Sequence, residues 1–304
     1  MSRVSVKRED PLYTYAIKYI ENAWGVVGRF PGCQPISIEY KHFDILRKND
    51  YVVCEKTDGV RYMMVCFMYQ NKKVSLFVNR AMELFVCPLN FRKPVYEGTI
   101  LEGELYEDTF MVYDCLTDSG APVGHKDFVQ RLAHCEGITK KLMALKSDAV
   151  KLRVKTFHLL CDYDAFLNEY LPTVSQEIDG LIFTPVHESV KIGTHETMFK
   201  WKPREKNTID FKLKYQYDQW RMFVQEKGEL IFETIIPPNK EFDYSLLKDG
   251  AIVECAYITD EIPMWWKPLK IREDKTHPNN RRTFYRTLVN IKEDIKITDF
   301  LKCM

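Results

Sequence analysis

The sequence has no long hydrophobic run, no paired cysteines and almost no net charge, and each absence removes a class of protein. The longest apolar stretch, Tyr62 to Tyr69, is far too short to cross a bilayer, which takes about 20 residues. The first ten residues, Met1-Ser-Arg-Val-Ser-Val-Lys-Arg-Glu-Asp10, are charged and lack the apolar segment of a secretory signal, so an intracellular protein is expected. Nine cysteines include no Cys-x-x-Cys pair, which argues against a disulfide framework or zinc ribbon and fits reduced thiols in a nucleus or cytoplasm. The 44 Lys+Arg against 43 Asp+Glu leave +1. That excludes a protein coated in positive charge to hold nucleic acid, but not a local basic cleft. There is no Gly-x-Gly cofactor loop, the seven histidines show no metal-ligand spacing, and neither internal repeats nor low-complexity segments occur. His134-Cys135 resembles the opening of a cysteine-phosphatase loop, yet the arginine such a loop needs six residues on is Lys141.

What is present is enough apolar residue, 45% of 304, for two packed domains. Asp10 and Pro11 form an N-cap and first-turn signal for a helix from about Leu12 to Trp24. Strands are expected at Tyr51 to Glu55, Arg61 to Tyr69 and Val74 to Val78, with a hairpin turn at Gln70-Asn71-Lys72. A second hairpin runs from Thr99 to Tyr106 and from Thr109 to Leu116. Helical spacing recurs over Phe128 to Leu145. A strand over Val154 to Leu160, a short helix over Tyr163 to Tyr170, and strands at Gly180 to Val186 and Met198 to Lys202 follow. Beyond Asn207-Thr208 come five short strands in about 65 residues, the pattern of a small antiparallel barrel such as an OB-fold. Asn280 to Lys292 is helical again. The expectation is an α+β chain with antiparallel sheets: domain 1–208, a barrel over 209–279, and a helical segment 280–304 that packs back on the first domain.

The informative segment is Glu55-Lys56-Thr57-Asp58-Gly59-Val60-Arg61, expected in a turn between two strands. An amine, an acid, a glycine that admits close backbone approach and an arginine suit phosphate chemistry. Further elements follow in order: Leu101-Glu-Gly-Glu-Leu105, Phe110-Met-Val-Tyr-Asp114, Ile178-Asp-Gly-Leu-Ile-Phe183, Phe199-Lys-Trp-Lys-Pro203 with Thr208-Ile-Asp-Phe211, and Arg272-Glu-Asp-Lys275.

This ordered set resembles the covalent nucleotidyltransferase superfamily of polynucleotide ligases and mRNA capping guanylyltransferases, and most of all the latter. Phe30-Pro-Gly and Asn79-Arg-Ala-Met82 also resemble the compact single-function enzymes of large DNA viruses of algae. The resemblance implies an ATP-grasp-like ligase/capping domain followed by an OB-fold. It implies that Lys56 attacks the α-phosphorus of GTP and forms a lysyl-GMP, which then passes to the 5′-diphosphate end of RNA. Arg61 and Arg80 would contact ribose and α-phosphate, Glu104 the ribose or a metal, and Tyr113 would stack on guanine. Asp179 would act near the metal and the nucleophile, Lys200 and Lys202 would hold the α-phosphate, and Asp210 is the acid of the Thr-Ile-Asp element. Arg272, Asp274 and Lys275 would reach the β- and γ-phosphates. Mg²⁺ or Mn²⁺, held by Glu104 and Asp179, is the implied cofactor. The implied partners are GTP, 5′-diphosphate RNA, a separate RNA triphosphatase and a cap methyltransferase. The implied molecule is a monomer without membrane attachment, in nucleus or cytoplasm. Where the family has Asp-Gly-Glu, this chain has Glu102-Gly103-Glu104, which puts the role of Glu102 in doubt.

Two other readings share these residues: an ATP-dependent ligase with a lysyl-AMP intermediate, and a silent RNA-binding scaffold of the same fold. Read singly, Glu102, Glu104 and Asp114 are solvated or paired surface acids. Lys151 to Lys155 is a solvated face, His187 and His195 are surface residues, and Trp201 and Trp265-Trp266 are packing residues.

Overall fold

A computed structural model describes residues 4–143, 150–273 and 275–304. The chain divides into two units: Met1–Ile36 with Asp44–Lys200 and Cys303–Met304, and Ser37–Phe43 with Trp201–Lys302.

In the first unit, the helix Pro11–Trp24 begins where the Asp10 carboxylate accepts the Leu12 N–H at 2.8 Å and ends at Gly25, φ 67°. Its buried residues Ala16, Ile20 and Trp24 lie four apart, one helical face. They pack with Met63, Val65 and Leu76 of the first sheet. That sheet places Val60–Tyr69 between Lys72–Val78 and Thr99–Tyr106, with Thr109–Asp118 beyond. Gln70 and Asn71 take φ of 48° and 60°, the left-handed pair that a two-residue hairpin turn requires. In the second sheet, Tyr51–Thr57 lies between His158–Leu159 and Ile178–Pro185, with Thr194–Trp201 and Gln34–Ser37 beyond.

The strand expected over Val154 to Leu160 is two strands in different sheets. Lys151–Val154 pairs in parallel with Thr109–Asp118, and His158–Leu159 pairs with Tyr51–Thr57. The chain crosses between sheets at Lys155-Thr156-Phe157, which period-2 patterning does not reveal. The helix expected over Phe128 to Leu145 is Phe128–Thr139; Leu145 lies outside the described residues.

The second unit is built on one antiparallel five-stranded sheet. Thr208–Gln216 is its central strand, with Gln219–Glu226 and Glu229–Ile235 on one side and Ile252–Ile258 and Trp265–Ile271 on the other. Among the described residues its two edge strands do not pair, so the pairing is that of an open sheet rather than a closed barrel. The helix Arg281–Glu293, capped by Asn280, sends Phe284 and Ile291 into this unit's core with Trp265 and Trp266. Among the described residues, no helix is long and apolar enough to cross a membrane.

Candidate active site

Lys56 is not in a turn. It lies on the strand Tyr51–Thr57, and Asp58-Gly59 carries the chain directly into Val60–Tyr69 of the other sheet. The segment from Lys56 to Arg61 therefore straddles two sheets, with the amine on one and the guanidinium on the other. Between them lies a cavity of about 290 Å³ whose walls include Lys56, Arg61, Arg80, Glu104, Tyr113 and Lys200. Gly59 is needed at the crossing. A Cβ there would sit 2.7 Å from Glu104 Cγ and 2.9 Å from the Leu105 carbonyl oxygen.

Two β-bulges aim the remaining groups. Opposite Lys56, the register jumps from Ile178 to Gly180 and leaves Asp179 as the extra residue. A bulge re-aims the side chain it carries, and here the Lys56 Nζ donates to Asp179 Oδ2 at 2.6 Å. Gly180 absorbs the distortion at φ 151°. On the other sheet, Glu102 pairs with Asp114 and Gly103 with Val112, so Tyr113 is the extra residue. Its burial raises the phenol pKa well above the ordinary range, so the ring enters the cavity as a neutral aromatic surface. Gly103 lets Phe110 pack closely behind, since a Cβ there would meet the Phe110 ring at 2.5 Å.

Arg61 is held from several directions. Its Nη1 donates to the Cys33 carbonyl and its Nη2 to Glu102 Oε2, each at 2.5 Å. The guanidinium carbon lies 5.3 Å from the Phe30 ring centre and 6.0 Å from that of Tyr113. Burial works against its charge, but Glu102 more than offsets this and its pKa lies above the ordinary value. Glu102 is 5% exposed, so it is a buried clamp rather than a surface acid. Its Oε1 and the Arg61 Nε are buried without a hydrogen-bond partner, polar capacity that a ligand or water would satisfy. Arg80, on the turn that Asn79 ties by accepting the Ala81 and Glu83 N–H groups, is held below its usual pKa by burial and then by Arg61. Burial raises the Glu104 pKa, against the pull of Lys155 and Lys56.

Several residues that the sequence places on the surface line or support this cavity. Lys155, 7% exposed, lies at the crossing between sheets. It donates its N–H to the Val112 carbonyl and its Nζ to Thr57 Oγ1 at 3.0 Å, and its Nζ lies 3.6 Å from the buried Glu55. Tyr170 and Gln176 also donate to Glu55, so both neighbours of Lys56 in the chain are fixed. His195, 4% exposed, is buried against the cavity, where burial lowers its pKa. Asp114 receives two hydrogen bonds from the buried Arg131, which also donates to the Lys126 and Glu188 carbonyls. The Glu188 carboxylate in turn accepts from Thr197 and Lys191. Cys33 lines the cavity too, and burial pushes its thiol up to about 12. His187 is exposed, and Trp201, Trp265 and Trp266 are buried, as expected.

Lys202, Asp210, Arg272 and Lys275 belong to the second unit. There Asp210, 4% exposed, pairs with Arg272 at 3.1 Å and with Lys275, while Glu254 takes Arg272 and Lys270. Asp274 lies outside the described residues.

Fold and site together define the class: a nucleotidyltransferase domain of the capping type, followed by a β-rich domain. The model of the mRNA capping enzyme catalytic domain matches residues 7–204, and that of the mRNA capping enzyme C-terminal domain matches residues 206–301. The chain belongs to the mRNA capping enzyme family. It is 28% identical to the mRNA-capping enzyme subunit alpha of Schizosaccharomyces pombe, over 90% of this chain and 80% of that one. It is 28% identical to the mRNA-capping enzyme of Danio rerio, over 82% of this chain but only 45% of that protein. A solved mycobacterial DNA ligase D complexed with ATP aligns with a TM-score of 0.44 and 11% identity, covering 81% of this chain and 95% of that one.

Proposed function

We propose that this chain is an mRNA guanylyltransferase. The observation that carries the reading is Lys56 on a paired strand, its amine 2.6 Å from Asp179 and opening on a cavity walled by Arg61, Arg80, Tyr113 and Lys200. In the first step the Nζ–phosphorus bond forms at the α-phosphate of GTP, the bond to the β-phosphate oxygen breaks, and pyrophosphate leaves. The amine must shed its proton to attack, and Asp179 is the base in reach. Nucleotidyl transfer depends chiefly on positioning and charge stabilisation. Arg61, Arg80, Lys200 and Lys202 supply these at the α-phosphate and ribose, while Tyr113 stacks the guanine. In the second step a terminal oxygen of 5′-diphosphate RNA attacks the same phosphorus, the Nζ–phosphorus bond breaks and Lys56 recovers its proton.

Arg272, Asp274 and Lys275 are assigned to the β- and γ-phosphates. Because Asp210 holds both Arg272 and Lys275, it sets where those cations wait, and the triphosphate competes with it for them. The oxygen-only donor set of Glu104 and Asp179 fits Mg²⁺ or Mn²⁺. No cluster of three or more metal-binding side chains occurs among the described residues, and Glu104 and Asp179 are the residues that would hold the ion. The metal, when bound, neutralises phosphate charge. A triphosphatase must first remove the RNA γ-phosphate and a methyltransferase finishes the cap; we assign neither activity to this chain. We place the reaction in nucleus or cytoplasm, with the enzyme as a monomer.

The test is incubation with α-labelled GTP, and separately ATP, with Mg²⁺. A covalent GMP adduct that Lys56→Ala abolishes supports the reading. An AMP adduct makes the chain a ligase-type enzyme, and no adduct with either nucleotide makes it a binding scaffold.

A further inference from the structure

We propose that the outward face of the strands Thr208–Gln216 and Gln219–Glu226 binds single-stranded RNA downstream of its 5′ end. The proposal rests on the guanylyltransferase reading for its choice of ligand. Along the first strand Ile209, Phe211 and Leu213 enter the core of the second unit, so alternation puts Asp210, Lys212 and Lys214 on the other face. On the next strand Met222 and Val224 enter the core, which leaves Arg221 and Phe223 on that same outer face.

Two features of this face point to an anionic, base-bearing ligand. Lys214 and Arg221 are direct register partners, and like charges placed opposite one another destabilise a sheet. Neither they nor Lys212 makes an ion pair among the described residues, because the acids of this face, Asp210 and Glu254, are taken by Arg272, Lys275 and Lys270. The cations instead lie on aromatic rings. The Arg221 guanidinium carbon is 4.0 Å from the Phe232 ring centre and 5.4 Å from that of Tyr217, and Lys214 Nζ is 5.6 Å from that of Phe223. Tyr217 is 84% and Phe232 40% exposed. A guanidinium over a ring still has N–H groups to offer a phosphate. Exposed rings between cations are what sequence-tolerant single-strand binding uses, with bases stacked on the rings and phosphates on the charges. The row continues through Lys212 to Asp210 with Arg272 and Lys275, roughly 7 Å per outward position. The track thus leads to the cations assigned to phosphate handling.

The experiment uses the full chain as wild type and as Lys214→Met/Arg221→Met, with a 5′-diphosphate RNA of about 15 nucleotides, the upper end of a single-sheet site, and a 5′-diphosphate trinucleotide. Fluorescence anisotropy across a KCl series should show the double variant binding the longer RNA about tenfold more weakly. Its slope of log affinity on log salt should be smaller by about 1.4, roughly 0.7 for each phosphate that is no longer neutralised. Lysyl-GMP formation and GMP transfer to the trinucleotide should be unchanged. The variant should melt no lower than wild type, since it removes a like-charge pair. Equal affinity and slope for the longer RNA would overturn the proposal and leave the face to an acidic protein partner. An equal loss on the trinucleotide would overturn it too, by placing the defect in the catalytic cleft. If wild type forms no lysyl-GMP, the guanylyltransferase reading falls, while the anisotropy comparison still decides this surface.

Discussion

Removing Glu102 should disable the site through Arg61. The two side chains form an ion pair at 2.5 Å in which the Glu102 side chain is 6% and the Arg61 side chain 24% exposed. In Glu102→Gln the amide oxygen still accepts the Nη2 hydrogen bond and only the charge is lost, a difference of about 1–1.5 kcal/mol between a charged and a neutral hydrogen bond. In Glu102→Ala the guanidinium keeps only the Cys33 carbonyl and the Phe30 and Tyr113 rings. Leaving a buried charge without its partner costs about 3–5 kcal/mol. If half of either loss falls on the geometry that meets the nucleotide, the concentration of GTP needed for adduct formation rises about 2- to 3-fold in Glu102→Gln. For Glu102→Ala the rise is about 10- to 60-fold, at 1.4 kcal/mol per tenfold. The assay is label incorporation from α-labelled GTP over a concentration series, with Glu107→Ala in an exposed turn as control. A Glu102→Ala that matches the control, or a Gln variant as damaged as Ala, would show that Glu102 does not act through its charge on Arg61.

Lys155→Met should lower unfolding stability by about 3 kcal/mol, because it strips the buried Glu55 of its cation and leaves only neutral donors; the urea midpoint measures this. Gly59→Ala should cost about 1–3 kcal/mol of overpacking, since the new Cβ meets backbone at 2.9 Å, and it should slow adduct formation more than it lowers the melting temperature. His195 has its pKa lowered by burial, so its contribution to stability is present above the unfolded value of about 6.5 and is lost as pH falls below it. Urea midpoints measured from neutral to mildly acid pH should therefore decline less steeply in His195→Gln than in wild type.

Much of this was legible in the sequence because it rests on local rules. The helix after Asp10-Pro11, the hairpin at Gln70-Asn71 and the five strands after Thr208 follow from capping, turn chemistry and alternation. The cavity residues Lys56, Arg61, Arg80, Glu104, Tyr113 and Lys200 were found by motif order, which carries no geometry. The sequence could not show that Asp179 and Tyr113 stand at bulges, since an extra residue in one strand is defined only by its partner strand. Nor could it show that Lys155 is buried. The run Lys151-Leu-Arg-Val-Lys155 alternates like a strand with a solvated face, and only the crossing into the other sheet turns the last lysine inward. Glu102 was misjudged for the same reason, since Arg61, the cation that makes its burial tolerable, comes from a distant segment, whereas His195 is buried beside the nearby Glu188.

The measurement that bears most directly on the central claim is peptide mapping of the chain after reaction with GTP and Mg²⁺, followed by a chase with 5′-diphosphate RNA. The guanylyltransferase mechanism predicts a GMP phosphoramidate on Lys56, acid-labile and alkali-stable, that disappears in the chase as a GpppN end appears on the RNA. A GMP on any other residue, an adduct formed only from ATP, or an adduct that the RNA cannot discharge would contradict it.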